Sequence, residues 1–203
     1  MGGSFNPAHG GHRAISLAAM AALQADSLWW LVSPGNPLKP VAGMAPLAAR
    51  LASAQRQARR SRIRPTAIER DLGTRYTIDT LAVLVRRFPK RRFIWLMGAD
   101  NLDQFHRWRD WRKIARIMPI AVVARPGYDS IARFSVAAGW YRGRVHPQSH
   151  AHHWTDWSPP ALVVLRFLPD TRSATALRAS NPLWPDDYRG RAVRDPVTRR
   201  LVT

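Results

Sequence analysis

The stretch GGSFNPAHGGH, Gly2 to His12, decides how the rest of the chain is read. Two glycines, an Asn-Pro step and two histidines three apart make a polar loop in which backbone and imidazole can approach an anion. Directly after it, HRAISLAAMAALQAD places Ile15, Ala19, Ala22 and Leu23 near helical spacing, which predicts a helix starting close to His12. His12 then sits in the first helical turn, where the dipole favours negative charge. His9-x-x-His12 admits two chemistries. Zinc needs a further protein ligand, and neither a cysteine nor a nearby acidic residue supplies one. Contact with phosphate is the favoured reading.

Outward from this loop the chain alternates. SLWWLVS reads as a buried strand, PGNPLKP as a loop, PLAARLASAQRQARR as a helix, IRPTAIE as a strand, and YTIDTLAVLVRRF as a helix begun by Thr77. RFIWLMG is the next apolar strand, and ADNLDQFHRWRDWRKIARIM a helical pair carrying Trp108 and Trp111. IAVVARPG is another strand, a helix is expected from Ser130 to about Tyr141, and ALVVLRFL is the last strand before the helix start SATALRAS. HPQSHAHHWTDWSPP is read as irregular, its histidines 146, 150, 152 and 153 as a solvated or substrate-side loop. Alternating strand and helix implies one α/β domain over residues 1–203, a Rossmann-like, mostly parallel sheet with helices on both faces. Ligands of such sheets sit beyond the carboxyl ends of the strands.

Composition narrows the function classes. With 46% hydrophobic residues the chain is globular, and with no cysteine it has no disulfide framework, thiolate metal site or cysteine nucleophile, which fits a reducing cytoplasm. No apolar run reaches the roughly 18 residues of a membrane span, and the first residues lack the basic and apolar regions of a signal peptide. No membrane partner is expected. The net charge is +19, and because only Lys39, Lys90 and Lys113 are lysines, 29 of the 32 basic residues are arginine. Such a surface could bind nucleic acid, but no nucleic-acid motif accompanies it, and a small polyanionic substrate is favoured.

Two motifs sharpen this. GGSFNPAHGGH resembles the H-x-G-H signature of the nucleotidylyltransferase superfamily, and SATALR, Ser173 to Arg178, resembles its late S-x-T-x-x-R signature. They stand in the family's order, about 160 residues apart. RYTIDTL, MGADNLDQFHRWRDW and ARPGY are similar to segments of the bacterial nicotinate-nucleotide adenylyltransferases, a resemblance running from Gly2 to about Ser180. It implies transfer of AMP from ATP to nicotinate mononucleotide with release of pyrophosphate, magnesium bridging the phosphates, and no nucleic-acid partner. It implies that His9 and His12 contact the ATP phosphates, with Arg178 and the helix start at Ser173 and Thr175 holding the β- and γ-phosphates. Gly2, Gly3, Ser4, Phe5 and Gly98 would lie against the nucleotide, as would Lys39, which sits where the family carries a basic residue after Pro-His; Leu38 replaces that histidine, so one phosphate contact of the family's loop is missing here. Thr77 and Trp108 resemble the pyridine-ring site, with Arg109 close enough to sense the nicotinate charge, and Asp100 would bind ribose hydroxyls or cap a helix. Arg107, Arg109 and Arg112 together are expected on a solvated helix face.

The alternatives are the same chemistry on nicotinamide mononucleotide or phosphopantetheine, and an RNA-binding protein on the same scaffold. Finally, a strand should deliver the glycine loop, yet only Met1 precedes Gly2. The first strand therefore reads as truncated, Met1 as an internal methionine, and an apolar N-terminal extension is expected in the natural protein, with residues 1–203 alone poorly soluble or inactive.

Overall fold

The computed structural model describes residues 1–35, 43–124, 135–167 and 173–203. Lys39, the Arg125–Tyr128 part of ARPGY and the first residues of the helix expected from Ser130 lie outside these. The chain divides into two compact units, one of residues 1–17, 26–75 and 170–203, the other of residues 18–25 and 76–169. Helix α1 (Gly10–Leu23) begins in the first and ends in the second.

The first unit holds a parallel sheet in the order β1 (Gly2–Gly3), β2 (Leu28–Val32), β3 (Ile63–Thr66). Gly2 pairs with Leu31 and Leu28 with Ile63. The apolar run of β2 is buried, as a strand flanked on both sides requires. Trp30 is fully buried, and its one polar atom is satisfied by Ser16 of α1, Nε1–H to Oγ at 2.8 Å. Helix α2 (Leu47–Ala58) buries Ala48, Ala49, Leu51, Ala54 and Ala58, and beside it Ala45 and Ala49 pack on Trp184. Where IRPTAIE was expected to continue as strand, Ile68 to Leu72 instead turn into a short helix, α3. A C-terminal hairpin, β8 (Val193–Arg194) against β9 (Leu201–Val202), is the antiparallel element of this unit. Asp195 anchors it from full burial: its carboxylate accepts from Thr66 Oγ1 (2.9 Å) and the amides of Ala67 (2.7 Å), Val197 (2.8 Å) and Thr198 (3.0 Å).

The second unit holds the sheet β4 (Trp95–Gly98), β5 (Ile120–Val123), β7 (Leu162–Leu165), β6 (Val145–His146), all parallel. Its helices are α4 (Thr77–Arg87), α5 (Ala99–Gln104), α6 (Trp111–Ile117) and α7 (Val136–Trp140). The segment read as irregular contributes more than a loop: its first residue, His146, joins Val145 in β6, and Gln148–Asp156 form a 3₁₀ helix. That helix is pinned by the buried Trp154, whose Nε1–H donates to the carbonyl of Leu23 at 2.9 Å, while His150, His152 and His153 face solvent. His146 stacks on Trp157, ring centroids 3.9 Å apart. No described helix is long and apolar enough to cross a membrane.

Candidate active site

The opening loop is organised by aromatic packing. The sequence reading placed Gly2 and Gly3 in the turn itself; they form β1, and the turn runs from Ser4 to His9. A Cβ at position 3 would stand 3.2 Å from the ring of Phe5, a tight approach that favours glycine there. Phe5, itself at φ 47°, turns that ring inward, where it is 2% exposed and stacks on Trp30 at 5.0 Å. His12, in the first turn of α1, rests against the same ring at 5.0 Å and lies 3.9 Å from the His9 ring. Phe5 thus supports the site through its ring and can meet a ligand only through its backbone.

The hydrogen bonds define the histidine tautomers. The amide of His9 donates to His12 Nδ1 at 3.2 Å, and that of Gly11 to His9 Nδ1 at 3.1 Å. A nitrogen accepting from a backbone N–H carries no proton, so each neutral ring carries its proton on Nε2 as a donor. With the Nδ1 atoms so engaged the zinc reading loses half its donors, and among the described residues no three His, Asp or Glu side chains gather to hold an ion.

Arg178 meets this loop from the other end of the chain. It lies on α8 (Ala174–Ser180), where Ser173 caps the helix by accepting from the amide of Ala176 at 3.1 Å. The Arg178 guanidinium donates to the carbonyl of Asn6 at 2.7 Å and to Thr175 Oγ1 at 3.2 Å. Asn6, which the sequence reading passed over, is 8% exposed and holds the loop in turn. Its Nδ2 donates to Gly43 O at 2.9 Å and its Oδ1 accepts from the amide of Ala45 at 3.2 Å. Ser173 and Thr175 are exposed, open to solvent beside Arg178.

The predicted acceptor residues lie in the second unit. Thr77 opens α4 and is half-buried, with Tyr76 as the preceding cap residue. Trp108 is half-buried and not core: it lies between the short 3₁₀ turn Phe105–Arg107 and α6, outside the helices expected to carry it, edge-on to Phe105 at 5.5 Å. Trp111 is the buried one of the pair. Arg109 places its guanidinium 4.7 Å over the ring of Tyr76, bringing it to the start of α4, while Arg107 and Arg112 are exposed as expected. Asp100 is the second residue of α5, not its cap, which is Gly98. Its carboxylate folds back so closely that a Cβ on Gly98 would meet Oδ1 and force the Asp100 side chain to turn away. The same unit contains a cavity of about 480 Å³ lined by residues including Leu102, Val122 and Val164; Thr77, Asp100, Trp108 and Arg109 are not among its walls.

Residues 1–179 match the cytidylyltransferase-like family, which defines the class of nucleotide-transferring α/β proteins. Nucleotidyltransferases of this kind generally use a divalent metal with ATP. The chain is 60% identical over 202 residues to a probable nicotinate-nucleotide adenylyltransferase of Erythrobacter litoralis, covering 100% of this chain and 92% of that one. A protein of the same name from Parvibaculum lavamentivorans is 50% identical over 178 residues, 88% of this chain and 89% of that. In fold, the chain is similar to the Plasmodium falciparum nicotinic acid mononucleotide adenylyltransferase, solved in complexes with APC and with NaAD. Each superposes with TM-score 0.60 at 14% and 15% identity, covering 88% of this chain and 80% of that one. The chain belongs to the nicotinate-nucleotide adenylyltransferase family.

Proposed function

We infer that the protein transfers the adenylyl group of ATP to nicotinate mononucleotide, giving nicotinate adenine dinucleotide and pyrophosphate, a step in making NAD. The observation that carries the assignment of residues is the bond from Arg178 to the carbonyl of Asn6. It ties the late motif to the H-x-G-H loop across 172 residues of sequence, beside two imidazoles whose bonding sets Nε2 as donor.

The chemistry suits such a site. The attacking group is the acceptor's phosphate, whose second pKa near 6 leaves it mostly ionised at neutral pH. No general base is needed. Its oxygen bonds to the α-phosphorus of ATP while the bond from that phosphorus to the pyrophosphate oxygen breaks. Two anions must be aligned and the growing negative charge neutralised, so cations and N–H donors do the work. His12, with His9, donates to the phosphates and stabilises the charge developing in transfer. Arg178 offers a permanently charged planar fork to the β- and γ-phosphates, with Ser173 and Thr175 beside it and Lys39 as a further cation. The backbone of Gly2 to Phe5 lies along the nucleotide.

On the acceptor side, Trp108 offers an indole face to the pyridine ring, the turn at Thr77 and the cation of Arg109 favour its carboxylate, and Asp100 accepts from ribose hydroxyls. Magnesium would enter with the ATP substrate, bridging its phosphates. The lack of cysteine supports a cytoplasmic location.

The test is pyrophosphate release from ATP and magnesium with nicotinate mononucleotide, its amide, or phosphopantetheine. Charge-assisted hydrogen bonds to the carboxylate, worth on the order of 1.5–3 kcal/mol, should favour the acid over the amide by about 10- to 150-fold. Equal turnover of acid and amide overturns the acid preference. Salt-sensitive RNA affinity without turnover of any acceptor overturns the enzymatic reading.

A further inference from the structure

We propose that Arg50, which no motif marks, is a positioning residue for ATP: it holds the carboxyl ends of β1 and β2 in the geometry that the phosphate loop requires. The proposal rests on the adenylyl-transfer reading above.

Arg50 is the fourth residue of α2 and is 1% exposed. Two physical penalties attend that position. A cation in the first turn of a helix opposes the dipole, and a buried charge loses its hydration. No carboxylate among the described residues offsets either. Burial alone lowers the guanidinium pKa to about 10, and the group stays charged at neutral pH. What it has instead is backbone: Nε donates to Ala45 O at 2.8 Å, Nη1 to Ser4 O at 2.8 Å and Ser33 O at 2.6 Å, and Nη2 to Pro34 O at 3.4 Å.

Those four carbonyls come from three separate segments. Ser4 begins the loop after β1, Ser33 and Pro34 follow β2, and Ala45 precedes α2. Strand ends of a parallel sheet are where ligands bind, so the guanidinium clamps the two loops next to the H-x-G-H motif. The clamp continues outward. Ala45, held by Arg50 through its carbonyl, is held by Asn6 through its amide, and the carbonyl of Asn6 receives Arg178. A displacement of the first loop would therefore move both the histidine pair and the seat of Arg178. Only a planar fork with donors on three nitrogens spans such a set; an ammonium reaches a single cluster of acceptors.

The experiment compares wild type, Arg50→Lys and Arg50→Ala in initial-rate pyrophosphate assays at temperatures where circular dichroism shows native structure, with ATP binding followed separately by calorimetry. Both variants are expected to raise the ATP Michaelis constant and the calorimetric ATP dissociation constant at least tenfold, and to leave the nicotinate mononucleotide constant within threefold. Millimolar guanidinium, but not ammonium at equal ionic strength, is expected to restore much of the ATP constant of Arg50→Ala. These constants do not depend on how much of the preparation is folded. If they match wild type in the folded fraction, however small, Arg50 is a stability residue only and the proposal fails. A rise shared equally by both substrates also overturns it. Inactive wild type that still binds ATP in an Arg50-dependent way would overturn the reaction assigned, and leave the clamp standing.

Discussion

Replacing Arg178 by lysine keeps the charge and removes the fork. In the structure the guanidinium is already spread over two acceptors, the Asn6 carbonyl at 2.7 Å and Thr175 Oγ1 at 3.2 Å, which aim its remaining N–H groups. Lysine has three donors but all on one nitrogen, so it cannot span the Asn6 carbonyl, Thr175 Oγ1 and the phosphates as the fork does, and at least one charged hydrogen bond to ATP is lost. Such a bond is worth about 1.5–3 kcal/mol, and each 1.36 kcal/mol is tenfold in rate. The expected result is a fall of roughly 10- to 150-fold in kcat/KM for ATP, carried mainly by KM. Stability should change little, because α8 contributes no buried residue. The assay is pyrophosphate release across an ATP series at saturating acceptor, alongside thermal unfolding. An ATP kcat/KM within twofold of wild type, at unchanged Tm, would refute the assignment of Arg178 to the phosphates.

Three further outcomes follow from the same geometry. His12→Ala should lower turnover by at least about 10²-fold with the fold retained, since removing one donor to developing charge costs roughly 3–4 kcal/mol; near-normal turnover would exclude the role. Trp108→Ala should raise the acceptor constant more than the ATP constant, and a larger effect on ATP would move the indole out of the acceptor site. Asp195→Ala strips the acceptor from one hydroxyl and three amides at once. Because unsatisfied buried donors cost about 1–3 kcal/mol each and water will reach some of them, urea unfolding followed by tryptophan fluorescence should show a loss of about 3–5 kcal/mol. A loss below 1 kcal/mol would mean the hairpin is not anchored there.

How much of this was legible depended on how each element announces itself. Strands β2, β4, β5 and β7 were readable because a strand buried on both faces is a continuous apolar run. Strands of two residues, β6, β8 and β9, carry no period at all, and the 3₁₀ helix at Gln148–Asp156 hid behind its exposed histidines. His9, His12 and Arg178 stand out as candidates because their spacing is a motif. Asn6 acts through a carbonyl and an amide, and nothing in its residue type marks it. Tyr76 was masked by its neighbour Thr77. Arg50 did leave a signal that went unread: it stands four and eight residues before Ala54 and Ala58, on the buried stripe of α2, where an arginine is out of place unless something holds it.

That arginine bears on the charge of the whole chain. With 32 basic and 13 acidic side chains, most cations cannot find a carboxylate. In the first unit the arginines around the opening loop are satisfied by carbonyls instead: Arg50 on four, Arg178 on Asn6, and Arg13 of α1 on Gln57 and Arg59 at 2.8 and 2.9 Å. The difference matters electrostatically. A carboxylate satisfies a guanidinium and cancels it, whereas a carbonyl satisfies the N–H groups and leaves the net charge in place. Exposed arginines such as Arg86, Arg87 and Arg92 are screened within about 10 Å at 0.1 M salt, but a buried one is screened far less. Carbonyl pairing therefore lets the fold immobilise Arg50 beneath the loop without neutralising it. An enzyme that must draw a triphosphate and a second phosphate together needs that field, because its reaction asks for stabilised anions and for no proton to be removed.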